Sequence, residues 1–241
     1  MSIDKKYKEK RDQIMAYLGS DFRHNPTIPH PFIIEFNGSP HSGKTSTITE
    51  IDKLLRRHGF RVLRLQESGE AIRHIERKTP IYNIRTGLHS LINILDHGHG
   101  YNYDVIIFER GIFDAYNWMT YWAEKNKKHR QELETAKKFF LTSFWSNMVD
   151  RIYFMVCSPT KARKREFEVS LSDNLNTSNV DMVKFYRQSF KKLSQKFLQI
   201  KLIDTTNLNR KEVAEKIALD VLKMMEEKAK KTFKKTLTKG F

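Results

Sequence analysis

The chain has 241 residues, of which 39% are hydrophobic, so it can bury a sizeable core as one large domain with appendages. Its single cysteine, Cys157, excludes an intramolecular disulfide, and no apolar run reaches the roughly 18 residues of a membrane span. The first residues are charged where a signal peptide would be apolar, so we predict a cytoplasmic protein. The net charge of +16 favours anionic partners.

The N-terminal segment, residues 1–30, predicts a helix and a connector. Residues 2–19 form the helical pattern, with Ile14, Met15 and Leu18 as a sparse apolar face. Three prolines between 26 and 31 then favour an extended connector.

Residues 32–48 predict a buried strand, a phosphate-binding loop and the start of a helix. The spacing G-x-x-x-x-G-K-[ST] is met by Gly38, Gly43, Lys44 and Thr45. Glycines permit a tight turn whose backbone N–H groups face phosphates, and the helix that follows adds its dipole. Lys44 would neutralise the outer phosphates of ATP, and the Thr45 hydroxyl would bind Mg²⁺. The residues expected to contact the nucleotide in this loop are Gly38, His41, Ser42, Gly43, Lys44, Thr45 and Ser46.

The next elements are a second strand and a helix. Residues 61–65 predict the strand, which ends in Gln66, Glu67 and Glu70. Residues 81–96 predict the helix, in which Arg85 is a charged position. The leucines and isoleucine expected to face the core from this helix are Leu88, Leu91, Ile92 and Leu95.

Three further strands carry polar residues at their carboxyl ends. The strand 103–108 leads to Glu109, Arg110 and Asp114. The strand 152–156 leads to Lys161, Arg163, Lys164 and Arg165, and the strand 200–203 leads to Asp204, Thr205 and Thr206. Helices are predicted at 113–124, 131–149, 181–199 and 210–228.

Strands that alternate with helices predict an α/β fold with a doubly wound, five-stranded parallel sheet. Ligands bind such sheets at the carboxyl ends of the strands, where each of these polar clusters lies. We therefore expect the five strand ends to form one site, with Thr205 beside the nucleotide.

The arrangement resembles the thymidylate kinase and deoxynucleoside kinase group of P-loop kinases. The residues that carry the resemblance are GSPHSGKT, QESGEAIR, FERGIFDAYNW and PTKARKRE, in the matching order, and it covers most of residues 32–225. It implies a P-loop NTPase fold and transfer of a phosphoryl group from ATP to a nucleoside or nucleoside monophosphate. Residues 31–225 would be the kinase domain and residues 158–180 a helical lid.

The resemblance also implies residue roles. Glu67 would accept the proton of the attacking hydroxyl, Glu109 would bind Mg²⁺, and Arg110 would bridge donor and acceptor phosphates. Arg163 and Arg165 in the lid would stabilise the transferring phosphoryl group. The candidates for contact with the acceptor are Arg85, Glu70 and Asp114.

Each role has a plainer alternative that the sequence leaves open. Glu67 also suits a helix cap, Glu109 and Arg110 an ion pair, and the lid residues or Arg85 an exposed charged helix surface. The chain departs from the group at Pro40, His41, Ser68 and Gly111, and these departures leave the acceptor undetermined.

The C-terminal segment, residues 226–241, is predicted as a basic tail. Its last 14 residues carry six lysines and no acid, which fits a solvated tail or a segment that contacts nucleic acid or an anionic membrane surface. The charge therefore also permits a polynucleotide kinase or repair ATPase, and a non-catalytic ATP-dependent binding module remains a third interpretation. The oligomeric state is left open, a homodimer included.

Overall fold

The structure of the protein is a computed structural model. It describes residues 3–18, 31–65, 72, 74–76, 79–100, 102–169 and 179–239. The predicted connector up to residue 30, the acidic cluster at 66–70 and residues 170–178 of the predicted lid lie outside the described residues.

Five parallel strands form the sheet in the order β2-β3-β1-β4-β5. They are β1 (Phe32–Gly38), β2 (Val62–Arg64), β3 (Val105–Glu109), β4 (Val149–Val156) and β5 (Ile200–Asp204). The predicted five-stranded parallel α/β arrangement is therefore confirmed. β1, β3 and β4 are buried along almost their whole length because parallel strands at the centre of a sheet are covered on both faces.

Nine α-helices lie within the described residues, with one short 3₁₀ turn at Lys127–His129. They are α1 (Ile3–Leu18), α2 (Lys44–Arg57), α3 (Pro80–His97), α4 (Ile112–Lys125), α5 (Arg130–Phe140), α6 (Ser143–Ser146), α7 (Pro159–Val169), α8 (Asn179–Leu193) and α9 (Arg210–Lys239). None of the described helices is long and apolar enough to cross a membrane.

The helices cover both faces of the sheet and bury two separate apolar cores. On one face, Phe32, Ile34 and Phe36 of β1 pack with α1, α2 and α9. On the other face, Ile33 of β1 lies in a core built with α3, α4, α5 and α8. Successive strand side chains point to opposite faces, so β1 contributes to both cores.

At the neighbouring strands β1 and β3, the connections that leave the sheet run to opposite sides. The connection from β1 through α2 reaches β2 beyond β3, whereas the connection that follows β3 crosses to β4 on the other side of β1. Open α/β sheets bind ligands in the crevice at such a point, outside the carboxyl ends of the strands. The phosphate loop follows β1 and occupies this position.

Several predicted boundaries were wrong. The helix predicted at 131–149 is divided into α5 and α6, and β4 already begins at Val149. α8 ends at Leu193, before the predicted 199. α9 continues to Lys239 and so takes up most of the segment predicted as a basic tail.

The buried face of α3 also differs from the prediction. Leu91 and Ile94 are buried, but Leu88, Ile92 and Leu95 are exposed. The reason is Gly87, where an added Cβ would lie 2.5 Å from both Ala115 and Phe140. The buried face of α3 therefore combines the small residues Gly87 and Ser90 with Leu91 and Ile94.

The buried residues of the N-terminal helix α1 also differ from those predicted. Ile14 is buried as predicted, but Met15 is 39% exposed and Tyr7 is buried in its place. Lys10 forms an ion pair with Glu226, which joins α1 to α9. Tyr7 was missed because the residues three and four positions after it, Lys10 and Arg11, are charged, so no apolar periodicity continues from it.

Candidate functional site

The phosphate loop begins with a glycine that no other residue can replace. Gly38 has φ +136°, and an added Cβ would lie 1.8 Å from the carbonyl oxygen of Met155 on β4. The Ser39 N–H donates to the same carbonyl at 3.0 Å, so β1 stays paired with β4 up to the turn. This close approach fixes where the loop leaves the sheet.

The loop ends at the N-terminus of α2, where the N-cap residue has no side chain of its own. Gly43 is the N-cap residue, with φ +92°, and it forms no side-chain cap hydrogen bond. The first N–H groups of a helix have no partner within the helix and carry its positive dipole end. This terminus therefore suits an external anion such as a phosphate.

Lys44 lies within the loop. Its ammonium group donates to the carbonyl oxygens of Gly38 at 3.2 Å and Ser39 at 3.0 Å, and the residue is only 6% exposed. Because the buried ammonium group is held against loop carbonyls, its positive charge lies close to the space in front of the N-terminus of α2.

Thr45 and Glu109 lie side by side. The Thr45 hydroxyl donates to Glu109 Oε1 at 2.7 Å, and Glu109 is 7% exposed at the end of β3. Two neighbouring ligands of an octahedral Mg²⁺ lie about 3 Å apart because each Mg–O bond is about 2.1 Å. The pair therefore has the donor type and spacing for Mg²⁺, with phosphate oxygens and waters as further ligands. In the described parts of the chain, no group of three or more His, Cys, Asp or Glu side chains could hold a metal ion.

A cavity of about 820 Å³ opens in front of the loop. Its walls bring together residues that follow four of the five strands: loop residues Pro40 to Thr47, Glu109 and Arg110, the α7 residues Lys161, Lys164, Arg165 and Glu168, and Thr205 to the start of α9. The carboxyl ends of β1, β3, β4 and β5 therefore lie around one cavity, while the segment that follows β2 lies outside the described residues.

Arg165 lies in the wall of the cavity and contacts two other parts of the chain. Its guanidinium donates to the His41 carbonyl at 3.0 Å, to the Thr205 hydroxyl at 3.1 Å and to the Thr205 carbonyl at 3.1 Å. The Thr205 hydroxyl donates to the Ser42 carbonyl at 2.9 Å. Arg165 therefore ties α7, the phosphate loop and the end of β5 together.

His41 has a left-handed backbone, with φ +55°. Such a conformation costs a non-glycine residue roughly 1–2 kcal/mol. The Arg165 contact and a Cys157 thiol, 3.6 Å from the His41 carbonyl, hold it in place. The imidazole Nε2 lies 3.8 Å from Glu166 Oε1 on α7. His41 therefore contacts α7 through both its backbone carbonyl and its imidazole.

Arg110 also has a left-handed backbone, with φ +62°. Its Nη1 lies 3.2 Å from Asp114 Oδ2 and 3.3 Å from the Tyr186 hydroxyl. The Tyr186 hydroxyl in turn donates to Asp114 Oδ1 at 2.8 Å. Asp114 is 3% exposed, and its carboxylate faces Arg110 and Tyr186.

A buried carboxylate caps α4. Glu35 accepts hydrogen bonds from the backbone N–H groups of Gly111 at 3.0 Å, Phe113 at 3.3 Å and Asp114 at 2.9 Å. A Cβ on Gly111 would lie 2.4 Å from Glu35 Oε2, so glycine is needed there. Burial raises the pKa of Glu35 to about 7, while the backbone hydrogen bonds act in the opposite direction.

Some predicted residues lie elsewhere. Arg163 is exposed on α7 and is not among the residues that line the cavity, and Arg85 lies half-buried on α3 outside that lining. Glu67 and Glu70 lie outside the described residues. Ser42 and Ser46 belong to the cavity wall, and their contact with a nucleotide stays a prediction.

The sequence interpretation missed Glu35 and Tyr186. Glu35 had a signal, because it is a charged residue inside the otherwise apolar strand FIIEF, where an unpaired carboxylate would be costly. Tyr186 had none, since a tyrosine on an amphipathic helix reads as ordinary core packing.

Comparison with known proteins gives no relative for this chain: no family model matches it, and no curated protein matches it. The geometry of the site is therefore the basis on which its function is proposed.

Proposed function

We propose that this protein is a P-loop phosphotransferase that uses ATP and Mg²⁺ and transfers a phosphoryl group to a small acceptor, a nucleoside or nucleoside monophosphate. The observation that carries the proposal is the Thr45–Glu109 pair at 2.7 Å beside the N-terminus of α2, where the N-cap residue is Gly43. This combination supplies a magnesium position and a phosphate position at one place.

The loop residues have defined tasks in this proposal. The backbone N–H groups at the start of α2 bind the β-phosphate, and Lys44 neutralises charge on the outer phosphates. Thr45 and Glu109 hold Mg²⁺, which supplies charge neutralisation and orientation of the phosphate oxygens. The cavity of about 820 Å³ is within the size range of pockets that bind small ligands.

The basic residues of the cavity favour transfer over simple binding. Arg110 lies at the end of β3 next to Glu109, and Lys161 and Lys164 of α7 line the opposite wall. Positive groups around a transferring phosphoryl stabilise the charge that spreads over its oxygens. A nucleoside acceptor would also need a base, the role for which Glu67 remains the candidate.

The nucleic-acid alternative receives less support. Of the lysines in the C-terminal part of α9, Lys228 pairs with Asp150 at 2.6 Å, and Lys230 pairs with Glu226 of the same helix. Charges that are already paired within the protein contribute less to the binding of a phosphate backbone.

A transfer assay with labelled ATP tests the proposal. The acceptors are nucleosides, nucleoside monophosphates and 5′-hydroxyl oligonucleotides, and we expect label on one of the first two classes. Lys44→Ala should reduce the rate at least about 10²-fold, because it removes one charged group from the transition state.

Lys53→Ala is the matched control for Lys44→Ala. Lys53 lies on the same helix, but its side chain is 61% exposed and pairs only loosely with Glu50 at 3.9 Å. This variant should keep the wild-type rate. A wild-type protein that binds ATP and labels no acceptor would contradict the proposal, and label on oligonucleotides alone would favour the polynucleotide alternative.

A further inference from the structure

Arg110 belongs both to the cavity wall and to a buried polar network. It lines the cavity with Lys44, Thr45 and Glu109. Its guanidinium also contacts Asp114 and Tyr186, which are 3% and 0% exposed. Arg110 therefore connects the cavity to two buried polar side chains, Asp114 and Tyr186.

The backbone of Arg110 is held on both sides. Its N–H donates to the Phe36 carbonyl of β1 at 3.0 Å, and its own carbonyl accepts from the Ser90 hydroxyl of α3 at 3.2 Å. Its left-handed φ of +62° is a strained conformation that persists only when the surroundings enforce it. The backbone from which the Arg110 side chain extends is therefore held in one position.

The direction of the side chain depends on α8. Asp114 is one helical turn from Arg110, and its two carboxylate oxygens are divided between Arg110 Nη1 and the Tyr186 hydroxyl. Burial, with the charge of Asp114, raises the pKa of Tyr186, so the hydroxyl stays protonated and donates to that carboxylate. Removal of the hydroxyl would leave Asp114 short of one partner and free to turn.

Core packing alone does not account for this tyrosine. The Tyr186 ring contacts Phe154 at 6.2 Å and Phe185 at 5.1 Å between ring centroids, and a phenylalanine would make the same contacts. The hydroxyl adds a buried polar group that costs free energy unless it is used. Its use here is to orient Asp114 and Arg110.

We propose that Tyr186 is a positioning residue for phosphoryl transfer: through Asp114 it holds the Arg110 guanidinium toward the transferring phosphoryl group. This inference rests on the proposed phosphotransferase function. It also reassigns Asp114, which the sequence predicted as an acceptor ligand, to the support of Arg110. Small losses of alignment in such a group reduce turnover without weakening the binding of the nucleotide.

Tyr186→Phe tests the inference, and the chain offers a matched control. Tyr153 is also 0% exposed, and its hydroxyl donates to a carboxylate, Asp220 Oδ2, at 2.7 Å. It lies with α9 on the opposite face of the sheet, away from the cavity. Tyr153→Phe therefore removes an equivalent hydrogen bond without touching Arg110.

We expect Tyr186→Phe to lower kcat about tenfold, the effect of one hydrogen bond in a charged network, with the Kd for ATP unchanged within about twofold. Tyr153→Phe should keep the wild-type kcat, and the two variants should lose similar thermal stability. A wild-type kcat for Tyr186→Phe, or an equal fall in kcat for both variants, would overturn the inference.

A binding measurement separates this inference from the proposed function. ADP with aluminium fluoride imitates the transferring phosphoryl group and needs no acceptor. Its affinity relative to ADP should fall about tenfold in Tyr186→Phe and stay unchanged in Tyr153→Phe. If the wild type transfers to no acceptor, the phosphotransferase proposal fails, and this comparison still decides the positioning: a difference between the variants supports it, and equal affinities refute it.

Discussion

Two helices begin at the same edge of the sheet, and their N-termini are treated in opposite ways. At α2 the N-cap is Gly43, with no side-chain cap, and the terminus opens into the cavity. At α4 the N-cap is Gly111, and the buried Glu35 accepts hydrogen bonds from three of its backbone N–H groups. One terminus is left for an external anion and the other is closed by the protein's own carboxylate.

The difference shows how neighbouring positive helix ends can have separate uses. Both termini attract negative charge, because unpaired N–H groups and the helix dipole act at each. Glu35 satisfies the terminus of α4 from within the core, whereas the terminus of α2 faces the cavity, where we propose that phosphate binds. The Glu35 carboxylate also accepts from the Gly111 N–H, directly after Arg110. The capped terminus of α4 therefore helps to hold the backbone beside the cavity.

The largest expected effect comes from filling the close approach that forms the open loop. Gly38→Ala would place a Cβ 1.8 Å from the Met155 carbonyl, so β1 must separate from β4. We expect a loss of more than about 4 kcal/mol in the free energy of unfolding, or no folded protein. Urea unfolding followed by circular dichroism measures this.

Gly59→Ala separates the steric effect of Gly38→Ala from backbone strain. Gly59 also has a positive φ, +87°, but an added Cβ would meet nothing within 4 Å. We expect a loss of only about 1–2 kcal/mol. Similar losses for the two variants would show that backbone strain, and not the contact with Met155, makes Gly38 necessary.

The burial of Glu35 at the N-terminus of α4 should make the free energy of unfolding depend on pH. The pKa of Glu35 is raised from 4.5 to about 7, so its contribution is fully present below about pH 4.5 and is lost as the pH rises to about 7. A pKa difference of about 2.5 corresponds to about 3 kcal/mol.

Glu35→Gln should remove this dependence. We expect the difference in unfolding free energy between wild type and variant to shift in favour of the variant by about 3 kcal/mol from pH 4.5 to 7.5, because only the wild type must then bury a charge. Urea titrations at four pH values measure it. Parallel curves would show that the α4 terminus stabilises the carboxylate as well as water does.

The smallest expected effect concerns Arg165, which links α7 to the loop between β1 and α2. Arg165→Lys removes the planar fork that contacts both His41 and Thr205, so the loop should lose its fixed shape. We expect the Kd for Mg²⁺-ATP to rise about tenfold, the effect of about 1.4 kcal/mol, with kcat little changed. Calorimetry and steady-state kinetics measure the two quantities.

Arg163→Lys is the control, because Arg163 is exposed on the same helix and should change neither quantity. A tenfold fall in kcat for Arg165→Lys with an unchanged Kd would instead favour the role predicted from the sequence, direct stabilisation of the transferring phosphoryl group.

Much of the site could be predicted because its residues are local in sequence. The loop glycines, Lys44 and Thr45 follow one another within a short motif, and Glu109 ends an apolar strand. Parallel strands bring such ends to one edge, so the meeting of Thr45 with Glu109 was a consequence of the fold class. The five parallel strands were likewise predictable from continuous apolar runs.

The failures have a common physical cause. Which face of α3 is buried depends on how closely another helix can approach Gly87, and periodicity alone does not contain that distance. The break between α5 and α6 and the full length of α9 similarly depend on packing partners far away in sequence.

The sequence by itself determined the parallel α/β sheet, the phosphate loop and the Thr45–Glu109 pair, because period, spacing and strand-end position are local properties. Only the tertiary structure decided that Glu35 closes α4, that Arg165 braces His41 and Thr205, and that Tyr186 reaches Arg110 through Asp114. These contacts join residues that are 40 or more positions apart in every case but Arg110 with Asp114. Such pairings arise from how distant elements pack on the sheet, and a local pattern such as the charge of Glu35 within its strand does not say which partner a residue contacts.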